Sequence, residues 1–321
     1  MAAFERVDRR GTVMPGDHTE SEDSTVKPQF SGLSSPADQG HLLQGVPHDD
    51  PRNPTAVEAS MTVISFEDSD PFHGTRAIPS EVPVNLIYGG VPFAVMMTTP
   101  SDLEDFAVGF SLTEGVIQEP DDIRGIRIEP EEKGLRLSIE LTSNRLHEHL
   151  ARKRAMMGRT GCGLCGIDDL KSLPQARQPK GRAPDIALSA IRAALLGIER
   201  EQALNELTHA VHAAAWADLD GTVRFVREDV GRHNALDKLI GAVARVGTRP
   251  ESGFAIVTSR CSFELVEKVA AFGARTLVAI SAPTALALER ARLLDITLIG
   301  IARRDSVAVF HGLERIDTRG A

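Results

Sequence analysis

From Thr222 to Phe310 short unbroken apolar runs alternate with stretches of helical spacing, and this alternation limits the fold more than any other feature of the chain. Strands are predicted at Thr222 to Arg227, Phe254 to Thr258, Leu277 to Ile280, Ile296 to Ile301 and Val307 to Phe310. Between them Ala235, Leu236, Leu239, Ile240 and Val243 make one helix face, Phe263 to Phe272 a second helix, and Ala285 to Leu294 a third with Thr284 as N-cap. Ahead of them Ile186 to Leu204 carries helical spacing through Ile191, Leu195 and Ile198. Strands apolar on both faces belong to a sheet covered by helices on both sides, with parallel strands. The expectation for residues 185–321 is a three-layer α/β/α domain.

The preceding segments differ. Residues 1–60 hold six of the 18 prolines and polar clusters such as Asp17 to Thr25, with no apolar period, and read as a disordered tail. Order is expected from near Met61. Val82, Val84, Leu86 and Tyr88 alternate as in a strand, Gly89-Gly90 signals a hairpin turn, and Val91 to Met97 returns. Ser101 and Glu104 form a capping-box signature ahead of Leu103, Phe106, Ala107 and Phe110. Ile123 to Ile128 and Leu135 to Leu141 read as strands, giving an α+β module over 61–150. Residues 151–184 read as a basic loop and linker with Pro174, Pro179 and Pro184.

The 321 residues carry 36 Lys+Arg against 45 Asp+Glu, a net charge of −9. That balance argues against a general nucleic-acid or anionic-membrane binder, so an anion site must be a local basic patch. Three cysteines are too few for a disulfide scaffold, no apolar run is long enough for a membrane span, and Met1 to Thr12 lacks the apolar core of a signal peptide. A cytoplasmic protein is expected.

The sharpest chemical feature is Cys162-Gly-Leu-Cys165, flanked by Gly161, Gly163 and Gly166 and preceded by Arg152, Lys153, Arg154 and Arg159. The glycines let the backbone reshape, and the positive charge favours thiolate, the nucleophilic form. Three readings compete. A zinc site needs four ligands; Cys261 and His147 or His149 would have to complete it, and those histidines lie in a segment that repels a cation. A thioredoxin-like dithiol switch normally accompanies a βαβ pattern, whereas glycines here indicate a loop. A persulfide carrier, in which one cysteine accepts sulfane sulfur and the other helps release it, suits a mobile loop that meets a donor and then an acceptor.

A second constellation runs from Arg227 through Arg232, His233 and Asn234 to Asp237-Lys238 at a strand-to-helix junction, where free backbone N–H groups favour phosphate. Asn234 is a candidate base-edge reader; the alternative is a solvated turn with Asp237 and Lys238 as surface charges. Ser259-Arg260-Cys261-Ser262, Ser281 to Thr284 and Arg303-Arg304-Asp305 each follow a predicted strand. In open α/β sheets ligands sit beyond the carboxyl ends of strands, so one crevice lined by all three, with Arg260, Arg303 and Arg304 supplying positive charge, is expected to hold a phosphate-rich nucleotide cofactor. Cys261, at a helix start, is a candidate for a lowered pKa or else a small buried residue. His212 is either a core histidine or a site residue, and Trp216 beside it packs or stacks on a ligand.

Together "EVPVNLIYGG", "DLEDFAVGFSLTEGVI", "GRTGCGLCG", "HAAAW", "EDVGRHNALDKLIG", "SRCSFELVEKVA", "ISAPTALALERA" and "ITLIGIAR" resemble the FdhD/NarQ family of formate dehydrogenase accessory sulfurtransferases, from about Glu81 to Phe310. The resemblance implies a sulfur carrier that takes sulfur from a cysteine desulfurase as a persulfide and delivers it to the molybdenum cofactor of formate dehydrogenase. That cofactor is the bis-guanine-dinucleotide form and is cargo; no structural metal is implied. The resemblance also implies a homodimer and a cytidine-deaminase-like C-terminal half. It places the persulfide on Cys162, the second motif cysteine at Cys165, and the cofactor-binding stretch at Ile301, Ala302, Arg303, Arg304, Asp305 and Ser306; Arg232, His233 and Arg260 join it from the residue reading above. This chain departs from the family pattern at His209-Ala210 and at Arg304-Asp305, where glycines are usual. The zinc-deaminase ligand pattern is absent. A non-catalytic cofactor-binding chaperone is the alternative function.

Overall fold

A computed structural model describes residues 54–64, 66, 71–147 and 176–319, all within one compact unit. Cys162, Cys165 and most of both the tail and the basic loop therefore lie outside the described residues. Order begins earlier than Met61: β1 (Ala56–Val63) pairs antiparallel with β2 (Phe72–Pro79), a ribbon the sequence reading did not anticipate.

β3 (Val82–Tyr88) and β4 (Val91–Thr98) form the hairpin expected at Gly89-Gly90, whose φ values of 54° and 82° explain why glycine occupies both turn positions. With β5 (Ile123–Glu131) and β6 (Gly134–Leu141) they make a sheet of order β4-β3-β6-β5, in which β3 and β6 run parallel. The period-2 residues Val84, Leu86 and Tyr88 face α1 (Leu103–Thr113) and pack with Phe106, Ala107 and Phe110. The capping box at Ser101 does not form. The N-cap is Asp102, at φ 52° and without a side-chain cap bond.

In the C-terminal half β7 (Ile186–Ala187) precedes α2 (Leu188–Ile198) and α3 (Ala203–Thr208), so the single helix expected from Ile186 to Leu204 is divided. The remaining strands are β8 (His212–Asp218), β9 (Val223–Asp229), β10 (Gly253–Val257), β11 (Thr276–Ala279), β12 (Thr297–Gly300), β13 (Ala308–His311) and β14 (Ile316–Asp317), the last pairing with β7. The helices are α4 (Arg232–Arg245), α5 (Phe263–Phe272) and α6 (Ala285–Leu293). Thr284 caps α6 as expected, its hydroxyl accepting from Ala287 N–H at 3.2 Å.

The main sheet has order β13-β12-β11-β10-β8-β9. Only the β10–β11 and β11–β12 pairs are parallel; β8, β9 and β13 pair antiparallel, which makes the sheet mixed rather than parallel. Alternation along its strands sends Trp216, Ala255, Val257, Leu277 and Leu298 into a core under α4, α5 and α6. Ala213, Ala215, Phe254, Ile256, Val278 and Ile299 enter a second core under α2. Those two cores are the three layers expected from the sequence. No helix among the described residues is long and apolar enough to cross a membrane.

The two halves meet where α1 crosses α4 at Gly109 and Gly241. A buried polar network surrounds the crossing. Arg227 donates to Asp105 at 2.7 and 2.9 Å, and Arg245 reaches the other Asp105 oxygen at 2.6 Å. Lys238, fully buried, pairs with Asp229 at 2.7 Å and donates to Thr99 O at 2.9 Å. Lys268 donates to both oxygens of Asp237 at 2.9 Å. Burial pushes the Asp237 carboxyl up, with Lys268 opposing.

Candidate functional site

Parallel strands deliver successive loops to one end of a sheet, and antiparallel β9 delivers α4 there as well. His212 lies opposite Asp229, and Ala213 O accepts from Thr258 N–H at 3.0 Å, so the start of β8 and the end of β9 flank the carboxyl end of β10. The loops after β10, β11 and β12 are laced together by their backbones. Cys261 N–H donates to Ala282 O (3.3 Å), Thr284 N–H to Cys261 O (2.9 Å) and Ile301 N–H to Ser281 O (3.1 Å). All three predicted junctions thus stand side by side, joined by Arg232-His233. The N-termini of α4, α5 and α6 open here, at Gly231, Ser262 and Thr284. The partial positive charge at these helix starts favours an anion.

Arginines sharpen that field. The guanidinium of Arg232 has no hydrogen bond or ion pair among the described residues, and its Nε is buried without a partner. Arg260 is exposed and likewise unpaired among them. Arg303 is spent otherwise: its guanidinium donates to Ile280 O and to Ala302 O at 3.0 Å, closing the end of β11. Arg304 turns outward to Glu199, at the end of α2, at 2.6 and 3.1 Å. Neither supplies the free positive charge that the sequence reading assigned to it.

The stretch Ile301 to Ser306 forms a tight, mostly exposed turn in which Arg303 N–H donates to Ser306 O at 2.8 Å. Ser306 Oγ donates to Asp305 at 3.1 Å, and Ala302 is buried. Ile301 has φ 50°, a conformation a β-branched side chain seldom takes, and its side chain is 44 % exposed. Strain of this kind clusters at ligand-binding turns.

Other expectations change. Asn234, the candidate base-edge reader, is buried, and its amide donates to Met97 O (2.8 Å) and Asp229 (3.0 Å). Asp237 and Lys238 are buried partners in the network around the α1–α4 crossing, not surface charges. Trp216 packs edge-on against Phe272, with ring centroids 5.7 Å apart. His212 lies at the site end, where burial first and Arg232 second lower its pKa. Sequence reasoning missed Glu264, the second residue of α5, whose Oε2 lies 3.5 Å from His233 Nε2. Burial opposes its ionisation, but bonds from His233, Ser262 and its own N–H outweigh this and hold its pKa at about 2.

Cys261 is fully buried, and desolvation pushes its thiol up to about 12, which bears out the small buried residue and not the lowered pKa. Iodoacetamide is therefore expected to leave Cys261 unmodified in the native protein and to alkylate it in urea, read by peptide mass spectrometry. Equal labelling in both would contradict this burial.

Residues 79–317 match the FdhD/NarQ family. Among curated proteins, the sulfur carrier protein FdhD of Bordetella petrii is 46 % identical over 242 residues, covering 75 % of this chain and 87 % of its own. Those of Xanthomonas euvesicatoria pv. vesicatoria and Cupriavidus necator are 47 % and 45 % identical, covering 75 % and 74 % of this chain and 85 % and 83 % of theirs. Among solved structures, a putative formate dehydrogenase accessory protein from Desulfotalea psychrophila superposes with a TM-score of 0.65 at 22 % identity, over 82 % of this chain and all of that one.

Proposed function

Because the chain belongs to the FdhD/NarQ family, we propose that it is a sulfur carrier serving formate dehydrogenase, which accepts sulfane sulfur from a cysteine desulfurase and passes it to the molybdenum cofactor. The Cys162 thiolate attacks the terminal sulfur of the desulfurase persulfide; the donor S–S bond breaks and the donor cysteine leaves as thiolate. Cys165 thiolate then attacks Cys162 Sγ. The Cys162–sulfur bond breaks, the sulfur leaves as sulfide with both electrons, and the two cysteines are oxidised to a disulfide. The basic residues 152–159 favour the thiolate and draw in an anionic cofactor. The chain works in the cytoplasm as a homodimer.

The observation carrying this reading is the convergence of three helix N-termini at the carboxyl end of the sheet with Arg232 and Arg260, which have no partner among the described residues. The bis-guanine-dinucleotide substrate is anionic at its phosphates, which suits that field. His233 and the turn of Ile301 to Ser306 complete the cradle. Calorimetric titration with guanosine diphosphate tests it. Wild type is expected to bind, and Arg232→Ala and Arg260→Ala each to weaken binding about tenfold, the worth of one charge-assisted hydrogen bond. Unchanged affinity in both variants would contradict the assignment.

A further inference from the structure

The proposed cradle is cationic on nearly every side, yet Glu264 stands inside it as a carboxylate. Glu264 belongs to α5, and His233 to α4. His233 Nε2 lies 3.4 Å from Ser262 Oγ and 3.5 Å from Glu264 Oε2, so this ring nitrogen is committed to the start of α5. Nδ1 has no partner among the described residues, and the side chain is one-third exposed. The other charged groups beside the imidazole are Arg232, its neighbour on α4, and His212 on β8, with Asp229 near His212 at the end of β9. Asp229 is spent on Lys238, Thr98, Thr99, Gly231 and Asn234.

Which nitrogen of an imidazole carries the proton is set by what the other one meets. A carboxylate facing Nε2 takes the Nε2–H. Nδ1 is then a lone-pair acceptor in the neutral ring and an N–H donor in the imidazolium, and only the donor form attracts a phosphate. Glu264 offsets the imidazolium charge, whereas Arg232, His212 and the α4 N-terminus oppose it. We propose that Glu264 is a positioning residue that fixes His233 with Nε2 turned to α5 and Nδ1 turned to the substrate, making His233 a proton-dependent donor to the substrate's phosphate. This rests on the cradle assigned above and adds a regulation to it: anionic substrate is held more tightly at low pH and released as pH rises.

The sign follows from the donor. The imidazolium donates through Nδ1; in the neutral ring that nitrogen's lone pair faces the phosphate and the attraction is lost. Guanosine diphosphate binding by calorimetry between pH 5.5 and 8.5 reads this directly, with guanosine as the uncharged comparison. Wild type is expected to bind the diphosphate about tenfold more tightly at the acid end, as one charge-assisted hydrogen bond would give. Guanosine should show no such slope. Glu264→Gln and His233→Gln should each flatten the slope, Glu264→Asp should restore part of it, and Arg260→Ala should weaken binding at every pH without flattening it. Histidine ¹⁵N shifts should show Nε2–H as the wild-type tautomer and a mixture in Glu264→Gln. A wild-type slope that survives in Glu264→Gln, or an equal slope for guanosine, overturns the role of Glu264 while leaving the cradle intact. Failure of the wild type to bind the diphosphate at any pH overturns both.

Discussion

Gly109→Ala is expected to cost about 5 kcal/mol of folding stability, a large share of what a protein of this kind has. A Cβ at position 109 would lie 1.7 Å from Asp237 O and 2.8 Å from Gly241 N, and one at position 241 would lie 1.9 Å from Asp105 O. These obstacles are backbone atoms in helix interiors, which cannot swing aside as a side-chain tip can. α1 and α4 would have to part by on the order of 1.5 Å. Parting them loosens Asp105 from Arg227 and Arg245, and Asp237 from Thr113. Breaking a buried pair costs about 3–5 kcal/mol because the remaining charge is left uncompensated, and overpacking adds about 1–3 kcal/mol. Gly90→Ala is the informative comparison. Nothing lies within 4 Å of its Cβ position, so only the left-handed φ of 82° is penalised, at about 1–2 kcal/mol. Urea unfolding followed by circular dichroism should place Gly109→Ala well below Gly90→Ala; equal midpoints would refute the close crossing.

The same crossing explains where the sequence misleads. The run from Arg227 to Lys238 reads as a ligand site because charged groups crowd a helix entry. Four of them instead answer partners more than a hundred residues earlier: Arg227 meets Asp105, Asp229 meets Thr98 and Thr99, Asp237 meets Thr113, and Lys238 meets Thr99. Nothing local in a sequence announces a buried ion pair between distant segments. Arg232 and His233, at the half-buried start of the same helix, do stand at the site end. Where local pattern and burial agree, the reading is legible. The β3–β4 hairpin follows from alternation plus two glycines, and the layered C-terminal half from strands apolar on both faces. β8 escaped because His212-Ala-Ala-Ala-Trp216 has little strand propensity. Its alanines are buried on both faces of a central strand, so packing, not propensity, makes it one. Glu264 escaped because a first-turn glutamate is ordinary at a helix start, and only the neighbouring helix reveals its histidine.

Loss of Cys162 is expected to abolish sulfur acceptance outright, since no other thiol replaces it in the proposed transfer. Cys261 is buried with its thiol held protonated, and in the proposed scheme Cys165 acts only after the persulfide has formed on its neighbour. Formate dehydrogenase matured with Cys162→Ala as the carrier should stay inactive. The Cys162→Ala, Cys165→Ala double variant separates transfer from escort, because a chaperone that only binds the cofactor would still activate the enzyme. The most direct measurement is the intact mass of the protein after incubation with a cysteine desulfurase and cysteine. The account predicts that wild type gains the mass of one sulfur atom, reversed by a thiol reductant, and that Cys162→Ala gains none. Equal gains in the two proteins would contradict it.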